Sequence, residues 1–162
     1  MSKRKLPVYA ASATAVTAAA ALSSYAVNTG TVWYRTLRKP SWQPPPWTFG
    51  AVWTPLYATI AWSAGHSALH TSGRARRGLL TAYGVNLAAN VAWSWMFFAR
   101  RSTLAGLAGT LALDVSNADL LRRTTRDDPA AARALLPYAA WCVFATALNG
   151  AIAVRNRRTP GA

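Results

Sequence analysis

Five long stretches that are almost free of charged residues constrain the fold of this chain more than any other feature. They occupy residues 7–27, 48–70, 79–99, 102–121 and 134–154. As helices rising 1.5 Å per residue, stretches of about 20 residues cross the ~30 Å hydrocarbon core of a bilayer. Only the fourth stretch contains acids, Asp114 and Asp119. The pattern predicts an all-α integral membrane bundle of five transmembrane helices, formed as a single domain by residues 1–162.

The basic residues of the chain lie in short groups between these stretches. A formal charge of +14 would suit a nucleic-acid-binding protein, but these groups fall where predicted helices end and not along one face. We interpret them as contacts to anionic lipid headgroups, so that the expected partner is the bilayer and not a nucleic acid. The excess of Arg over Lys is typical of a bacterial protein, and we expect a multi-pass protein of the bacterial cell membrane. The groups are Lys3, Arg4 and Lys5; Arg35, Arg38 and Lys39; Arg74, Arg76 and Arg77; Arg100 and Arg101; Arg122, Arg123 and Arg126; Arg155, Arg157 and Arg158.

The N-terminal stretch has an alternative interpretation as a signal peptide. The basic segment "SKRK" precedes an Ala-rich run and the small-residue segment "SYAVN". Because the apolar run is longer than the hydrophobic part of an ordinary signal peptide, we favour a first transmembrane helix. Cys142 is the only cysteine, so an intrachain disulfide is impossible. The sequence also lacks the nucleophile-and-base sets, phosphate-binding glycine loops and Cys clusters of hydrolytic, nucleotide-binding and zinc enzymes.

The connection from 28 to 47 is long and rich in Trp and Pro. A loop of this length in a compact protein is usually functional. Its proline triplet, Pro44 to Pro46, favours a stiff extended backbone, so we expect a rigid lid over one end of the bundle. The basic side chains of the lid could meet carboxylates of a ligand, and its tryptophans could anchor it at the membrane interface. These lid residues are Arg35, Arg38, Lys39, Trp42 and Trp47.

Three of the predicted helices have a stripe of aromatic and amide residues at helical spacing. The stripes comprise Trp53 and Tyr57; Asn86, Asn90, Trp93 and Phe97; and Tyr138, Trp141, Ala145, Leu148 and Asn149. Amides that faced lipid would be costly, so they are expected to point into the bundle. Buried amides could simply join packed helices. Alternatively, the stripes could line a cavity for a flat apolar ligand, and the adjacent basic lid favours an amphipathic macrocycle with acidic side arms.

Four other polar residues lie inside or beside the predicted helices. His66 and His70 are four residues apart and could share a metal or an axial haem position, although no third ligand is near in sequence. Asp114 predicts either a proton or ligand role or a buried partner such as a neighbouring Asn. Asp119 is expected to pair with the arginines that follow it three and four residues later.

Three segments resemble the translocator protein (TspO/MBR) family, also called tryptophan-rich sensory protein or peripheral-type benzodiazepine receptor. They are "WYRTLRKPSWQPPPWTFGAVWTPLY" at 33–57, "NVAWSWMFF" at 90–98 and "LLPYAAWCVFATALNGAIAVRN" at 135–156. The first contains more than a dozen positions of the family signature. The resemblance extends over most of the chain from about residue 30 onward.

The resemblance implies a five-helix membrane bundle, commonly a homodimer, with a pocket under the first loop. That pocket would bind porphyrins such as protoporphyrin IX or haem, and in many members sterols or benzodiazepine-type ligands, without a required cofactor. Such a protein would sense, sequester or transport porphyrins. By matching position, the ligand-binding residues would be Tyr34, Trp53, Asn90, Trp93, Trp141, Phe144, Ala145 and Leu148.

The resemblance also leaves alternatives open. Some bacterial members are proposed to promote light-dependent porphyrin breakdown, for which Trp53 and Trp141 would be the redox pair. A non-catalytic regulatory scaffold is the other alternative. The sterol-recognition pattern of the fifth helix requires Tyr where this chain has Gly150. The fourth helix matches least, with Ala105 and Gly109 where members often have a Trp and an acid, so its ligand contacts are not transferred.

Overall fold

All regular secondary structure among the described residues is helical. The structure, a computed structural model, describes residues 5–157, and these contain no β-strand. The helices are α1 (Lys5–Ala26), α2 (Val32–Thr36), α3 (Pro46–His70), α4 (Gly73–Ser94), α5 (Thr103–Asp127) and α6 (Pro129–Asn156). One π-helical segment, Trp95–Ala99, continues α4. The all-α prediction is confirmed. Of the predicted basic groups, Lys3, Arg4 and Arg158 lie outside the described residues.

Each predicted apolar stretch coincides with one long helix, but the helices extend beyond several of the predicted ends. The α5 helix continues to Asp127 where the stretch was expected to stop at 121, and α4 begins at Gly73 instead of 79. A charged residue ends an apolar stretch without ending a helix, since Arg has nearly the helix propensity of Ala. Hydropathy therefore located the helices but not their polar ends.

The loop predicted as an extended lid contains a short helix that the sequence did not predict. Helix α2 begins after Thr31, whose Oγ1 accepts a hydrogen bond of 3.2 Å from the Tyr34 backbone N–H. We call residues 28–45 the lid, because Pro46 already belongs to the first turn of α3, where the N–H that proline lacks would have no helical partner. Trp47, predicted as a lid residue, therefore lies on α3.

The helices approach closely at two glycines. A Cβ atom at Gly65 would clash with the ring of Tyr9, where α3 meets α1. A Cβ at Gly106 would clash with Phe97, where α5 meets the π-helical segment. Small residues allow helices to pack at such short separations. In addition, α5 packs against α4 and α6, α3 packs against α4 and α6, and α1 packs against α4.

Polar side chains lie inside the bundle beside an apolar core, and large apolar side chains are exposed on its surface. The buried hydroxyl and amide side chains include Ser63, Ser67, Asn86, Asn90, Thr110, Asn117, Thr124 and Asn149. Large apolar side chains are exposed on the outside, among them Leu22, Leu80, Leu111, Val115, Leu136 and Val143. By length and composition, α1 and α6 are the two described helices apolar enough to cross a membrane. Apolar faces outside and amides inside suit helices that face hydrocarbon.

Buried amides join three helices at the centre of the bundle. The Asn86 side chain donates to Asn117 Oδ1 at 2.8 Å and accepts from the Tyr138 hydroxyl at 2.8 Å. These bonds connect α4 to α5 and to α6. The prediction that Asn86, Asn90 and Asn149 point into the bundle is confirmed, because none is more than 4% exposed.

The two predicted roles for aspartates on α5 have different outcomes. Asp119 accepts hydrogen bonds from Arg122 at 2.9 Å and Arg123 at 2.6 Å, as expected. Asp114 finds its partner on another helix, since Thr146 of α6 donates to its Oδ2 at 2.6 Å. A partner inside the bundle, such as a neighbouring Asn, was one of the two expectations for Asp114, and the partner found is a hydroxyl.

The two histidines of α3 make contacts that do not resemble a metal centre. His66 Nδ1 lies 2.9 Å from Asp128 Oδ2, and His70 Nδ1 hydrogen-bonds the His66 carbonyl at 2.8 Å. Within residues 5–157 no group of three His, Cys, Asp or Glu side chains could hold a metal ion. Instead, His66 and Asp128 join α3 to the α5–α6 connection.

Candidate ligand-binding cavity

A cavity of about 360 Å³ lies under the lid, between α1, α3, α4 and α6. This volume falls in the range of small-molecule sites, which are mostly apolar with a few polar groups. The lid contributes Tyr34 and Gln43, and α1 contributes Ser23. The other helices contribute aromatic side chains such as Phe49, Trp53 and Trp141 together with smaller apolar and amide side chains. The lid, the π-helical segment and the C-terminal part of α6 thus meet at one end of the bundle.

Seven of the eight ligand-binding residues expected from the resemblance line this cavity: Tyr34, Trp53, Asn90, Trp93, Trp141, Ala145 and Leu148. Phe144 does not line it and packs behind the wall, with its ring 5.8 Å from Trp42 and 5.1 Å from Trp141. A helix advances 100° per residue, so position 144 lies about 60° around α6 from position 141. That rotation moves Phe144 to the edge of the stripe.

Aromatic contacts hold the indoles of the wall in place. Trp53 stacks on Tyr57 with ring centroids 5.2 Å apart, and its edge meets Tyr138 at 6.1 Å. Trp93 stacks on Phe97 at 6.4 Å. Such stacked and edge-to-face pairs add to the energy of burial and restrict ring orientation. The wall is therefore a set of fixed flat surfaces, with Trp53 and Trp141 in the same cavity.

Two side-chain nitrogen atoms of the wall are hydrogen-bond donors without an acceptor among the described residues. The Tyr57 hydroxyl donates to Asn90 Oδ1 at 3.1 Å, but Asn90 Nδ2 has no partner among the described residues. Trp93 Nε1 is likewise buried without an acceptor in that part of the chain. A buried donor without a partner is destabilising, so such donors are usually satisfied by water or ligand. Both residues line the cavity, where an acceptor on a ligand could reach them.

The lid packs onto the bundle through Tyr34. This side chain is 9% exposed, and its ring lies 5.6 Å from that of Phe98. Burial raises the pKa of the Tyr34 hydroxyl, and the hydrogen bond from Gln43 only partly opposes this. The Lys39 ammonium donates to the Tyr34 carbonyl and lies 4.3 Å from the centre of its ring. Of the three predicted lid cations, Arg35 and Arg38 are exposed, whereas Lys39 is already engaged within the lid.

A contact that sequence reasoning missed holds the lid to the end of α6. The Arg38 backbone N–H donates to Asn156 Oδ1 at 3.0 Å, and Asn156 Nδ2 donates to the Arg38 carbonyl at 3.0 Å. Gln43 and Phe49, which line the cavity, were also missed. Asn156 is the last residue of the family-like segment 135–156. Its position in that helix carries no information about a contact with a loop far away in sequence.

Comparison with known proteins decides the family. The model of the TspO/MBR family matches residues 10–155. This chain belongs to the TspO/MBR family. The resemblance inferred from the three segments is confirmed, and the match includes the lid, all of α3, α4 and α5, and most of α1 and α6.

Three relatives illustrate the range of this family. The tryptophan-rich protein TspO of Archaeoglobus fulgidus is 36% identical over 130 residues, which cover 76% of this chain and 80% of the relative. The human translocator protein is 34% identical over 129 residues, covering 78% and 76%. The tryptophan-rich sensory protein of Cereibacter sphaeroides is 34% identical over 118 residues, covering 72% of each chain. This TspO/MBR chain is thus similar along most of its length to proteins named for translocation and for sensing.

Proposed function

We propose that this TspO/MBR family member spans a membrane with its five long helices and binds a porphyrin or related tetrapyrrole under the lid. The observation on which the proposal rests is the cavity of about 360 Å³, walled by fixed aromatic rings and covered by a basic lid. Binding and release of the ligand, without a catalytic cycle, would make the protein a sensor, a sequestering protein or a transporter.

The membrane part of the proposal is supported by helix length and by the polarity of the surfaces. The five long helices contain at least 22 residues each, enough to cross a bilayer core of about 30 Å at 1.5 Å per residue. Helices α3, α4 and α5 bury hydroxyl and amide side chains in the interior, among them Ser63, Asn86 and Thr110. The exposed faces remain apolar. We place the protein in the bacterial cell membrane on the composition of its basic residues.

A tetrapyrrole is the ligand class that best matches the cavity chemically. Its flat apolar ring suits stacked indole walls such as Trp53 on Tyr57. Its peripheral carboxylates suit the exposed guanidinium groups of Arg35 and Arg38. The unused donors of Asn90 and Trp93 would meet acceptor atoms of the ligand.

Pairing of two copies belongs to the same proposal. Along α4, the small residues Gly84, Ala88 and Ala92 are exposed on one side, and a Cβ at Gly84 would meet nothing within 4 Å. Small residues on a lipid-facing helix allow a second helix to approach. Gly84→Leu should therefore raise the monomer fraction in detergent, as measured by light scattering. An unchanged dimer fraction would remove α4 as the interface.

Fluorescence titration of the purified full chain with protoporphyrin IX tests the ligand. The porphyrin should quench tryptophan emission saturably, and Trp53→Phe and Trp141→Phe should each change the affinity or the depth of quenching. Trp62→Phe is the matched control, because Trp62 is exposed on the outer side of α3. If both cavity variants bind porphyrin as the wild type does, the ligand does not lie in this cavity.

A further inference from the structure

A second cavity lies at the end of the bundle away from the lid. It has a volume of about 290 Å³ and is formed by the first turns of α4 and the last turns of α5. Helix α3 begins beside the lid at Pro46 and ends at His70, so the start of α4 at Gly73 belongs to the opposite end of the bundle. We call this cavity the arginine cleft, lined by Arg74, Ala75, Gly78, Leu79, Arg122, Arg123, Arg126 and Asp127.

Positive charge exceeds negative charge in the arginine cleft. Arg122 and Arg123 share a single carboxylate, that of Asp119. Arg126 has Asp127 at 3.0 Å, but the Arg126 side chain is 77% exposed, and an exposed ion pair of this kind is weak. Arg74 has no carboxylate within salt-bridge distance among residues 5–157. Four guanidinium groups therefore face two carboxylates.

The shape of the arginine cleft depends on Gly78 and Leu79. Leu79 is 1% exposed and closes the base of the cleft with an apolar floor. A Cβ at Gly78 would lie 3.5 Å from Arg123 Nη1, so a larger side chain there would project into the space between α4 and α5. The Ser72 side chain makes no capping hydrogen bond at the start of α4, which leaves the partial positive charge of that helix end uncapped.

We propose that the arginine cleft binds a phosphate group. Guanidinium groups match phosphate oxygens with paired hydrogen bonds, and an excess of positive charge attracts an anion. In the proposed membrane orientation the cleft lies at headgroup depth. The phosphate of an anionic phospholipid thus fits the cleft, and a soluble phosphate offers the same chemistry.

The experiment measures lipid binding to the full chain in detergent micelles by native mass spectrometry. Phosphatidylglycerol is titrated in one arm, phosphatidylcholine in a second, and inorganic phosphate competes in a third. The double variant Arg74→Gln/Arg126→Gln removes two guanidinium groups and leaves the Asp119 pairs intact. The double variant Arg100→Gln/Arg101→Gln is the matched control, since it makes the same charge change on the loop at the other end of α4 and α5.

We expect Arg74→Gln/Arg126→Gln to weaken phosphatidylglycerol binding about tenfold, while the control stays close to wild type. Gly78→Leu, which fills the cleft without changing charge, should also weaken it. If millimolar inorganic phosphate displaces phosphatidylglycerol, a soluble phosphate is an equal ligand of the cleft. If it does not, the ligand is the lipid. The proposed site would be overturned if both double variants weakened phosphatidylglycerol binding equally. It would also be overturned if the wild type bound phosphatidylcholine as tightly as phosphatidylglycerol. Porphyrin titration of the same variants is independent and should be unchanged.

Discussion

Asn156 in the last turn of α6 holds Arg38 in the lid through two reciprocal hydrogen bonds of 3.0 Å, although the two residues are 118 positions apart. The amide satisfies both the N–H and the carbonyl of one lid residue, so it acts on the backbone and does not depend on the Arg38 side chain. Together with the packing of Tyr34, this contact determines how firmly the lid closes the cavity.

Asn156→Ala should loosen the lid. Loss of two partly exposed hydrogen bonds, each contributing about 1 kcal/mol, would speed porphyrin release about tenfold or more. Stopped-flow fluorescence measures the release rate, and hydrogen exchange of the 28–45 segment should increase in parallel. Arg155→Ala, on the neighbouring exposed position, is the control. An unchanged release rate with faster exchange would mean that the lid does not gate the cavity.

Asn90→Leu should weaken porphyrin binding about tenfold, because it removes a buried donor available to the ligand. It also deprives the Tyr57 hydroxyl of its acceptor. Tyr57→Phe therefore serves as the matched control, since it removes the same hydrogen bond but leaves the amide in the cavity. Affinities come from fluorescence titration. Equal losses in the two variants would show that Asn90 acts only through its bond with Tyr57.

Arg35→Gln/Arg38→Gln should weaken binding of protoporphyrin IX about threefold to tenfold, the modest effect of exposed charges. Binding of the dimethyl ester, which has no carboxylate charge, should not change. The comparison of diacid and ester separates charge pairing from damage to the lid. A loss that is the same for both ligands contradicts a role of these arginines in recognising carboxylates.

Stability should fall in acid because of Asp128, which lies between α5 and α6. Burial disfavours the charged carboxylate. Hydrogen bonds from His66, the Ala131 N–H and Ser67 outweigh that effect, so the pKa of Asp128 is lowered. A lowered pKa in the folded state stabilises the protein above the unfolded pKa of about 3.9, and this contribution disappears as pH falls through the folded value.

Thermal unfolding in detergent, measured from about pH 6 down to about pH 3, checks this prediction. The melting temperature of the wild type should fall at the acid end of the range. Asp128→Asn should have a lower melting temperature than the wild type at about pH 6, and its melting temperature should change less in acid. Asp127→Asn, whose carboxylate pairs only with the exposed Arg126, is the control. If Asp128→Asn keeps the full acid dependence of wild type, other groups are responsible.

Light distinguishes binding from the photochemical alternative. Trp53 and Trp141 both line the cavity, as that alternative would require. Under the proposed binding function, saturating protoporphyrin IX should bleach under illumination equally fast with wild type and with Trp53→Phe/Trp141→Phe. Absorbance at the Soret band measures the loss. Distinctly faster bleaching with wild type would favour an enzyme-like role over simple binding.

The sequence alone determined the features that depend on local periodicity. The five apolar stretches located the long helices, and the spacing of Asn86, Asn90 and Asn149 predicted which faces turn inward. Helical spacing is a property of neighbouring residues, so these inferences needed no tertiary information. Helix α2, only five residues long, escaped prediction because so short a segment has no periodicity. The one sequence signal for α2 was Thr31, a residue type that commonly caps the N-terminus of a helix.

Only the tertiary structure decided which residues meet across the bundle. It paired Asp114 with Thr146 and placed Phe144 against Trp42 behind the wall. It also brought Arg74 of α4 beside the arginines that end α5. Contacts between residues far apart in the chain depend on the angles and rotations with which helices pack. Those are determined by the shapes of many side chains together, and no single segment encodes them.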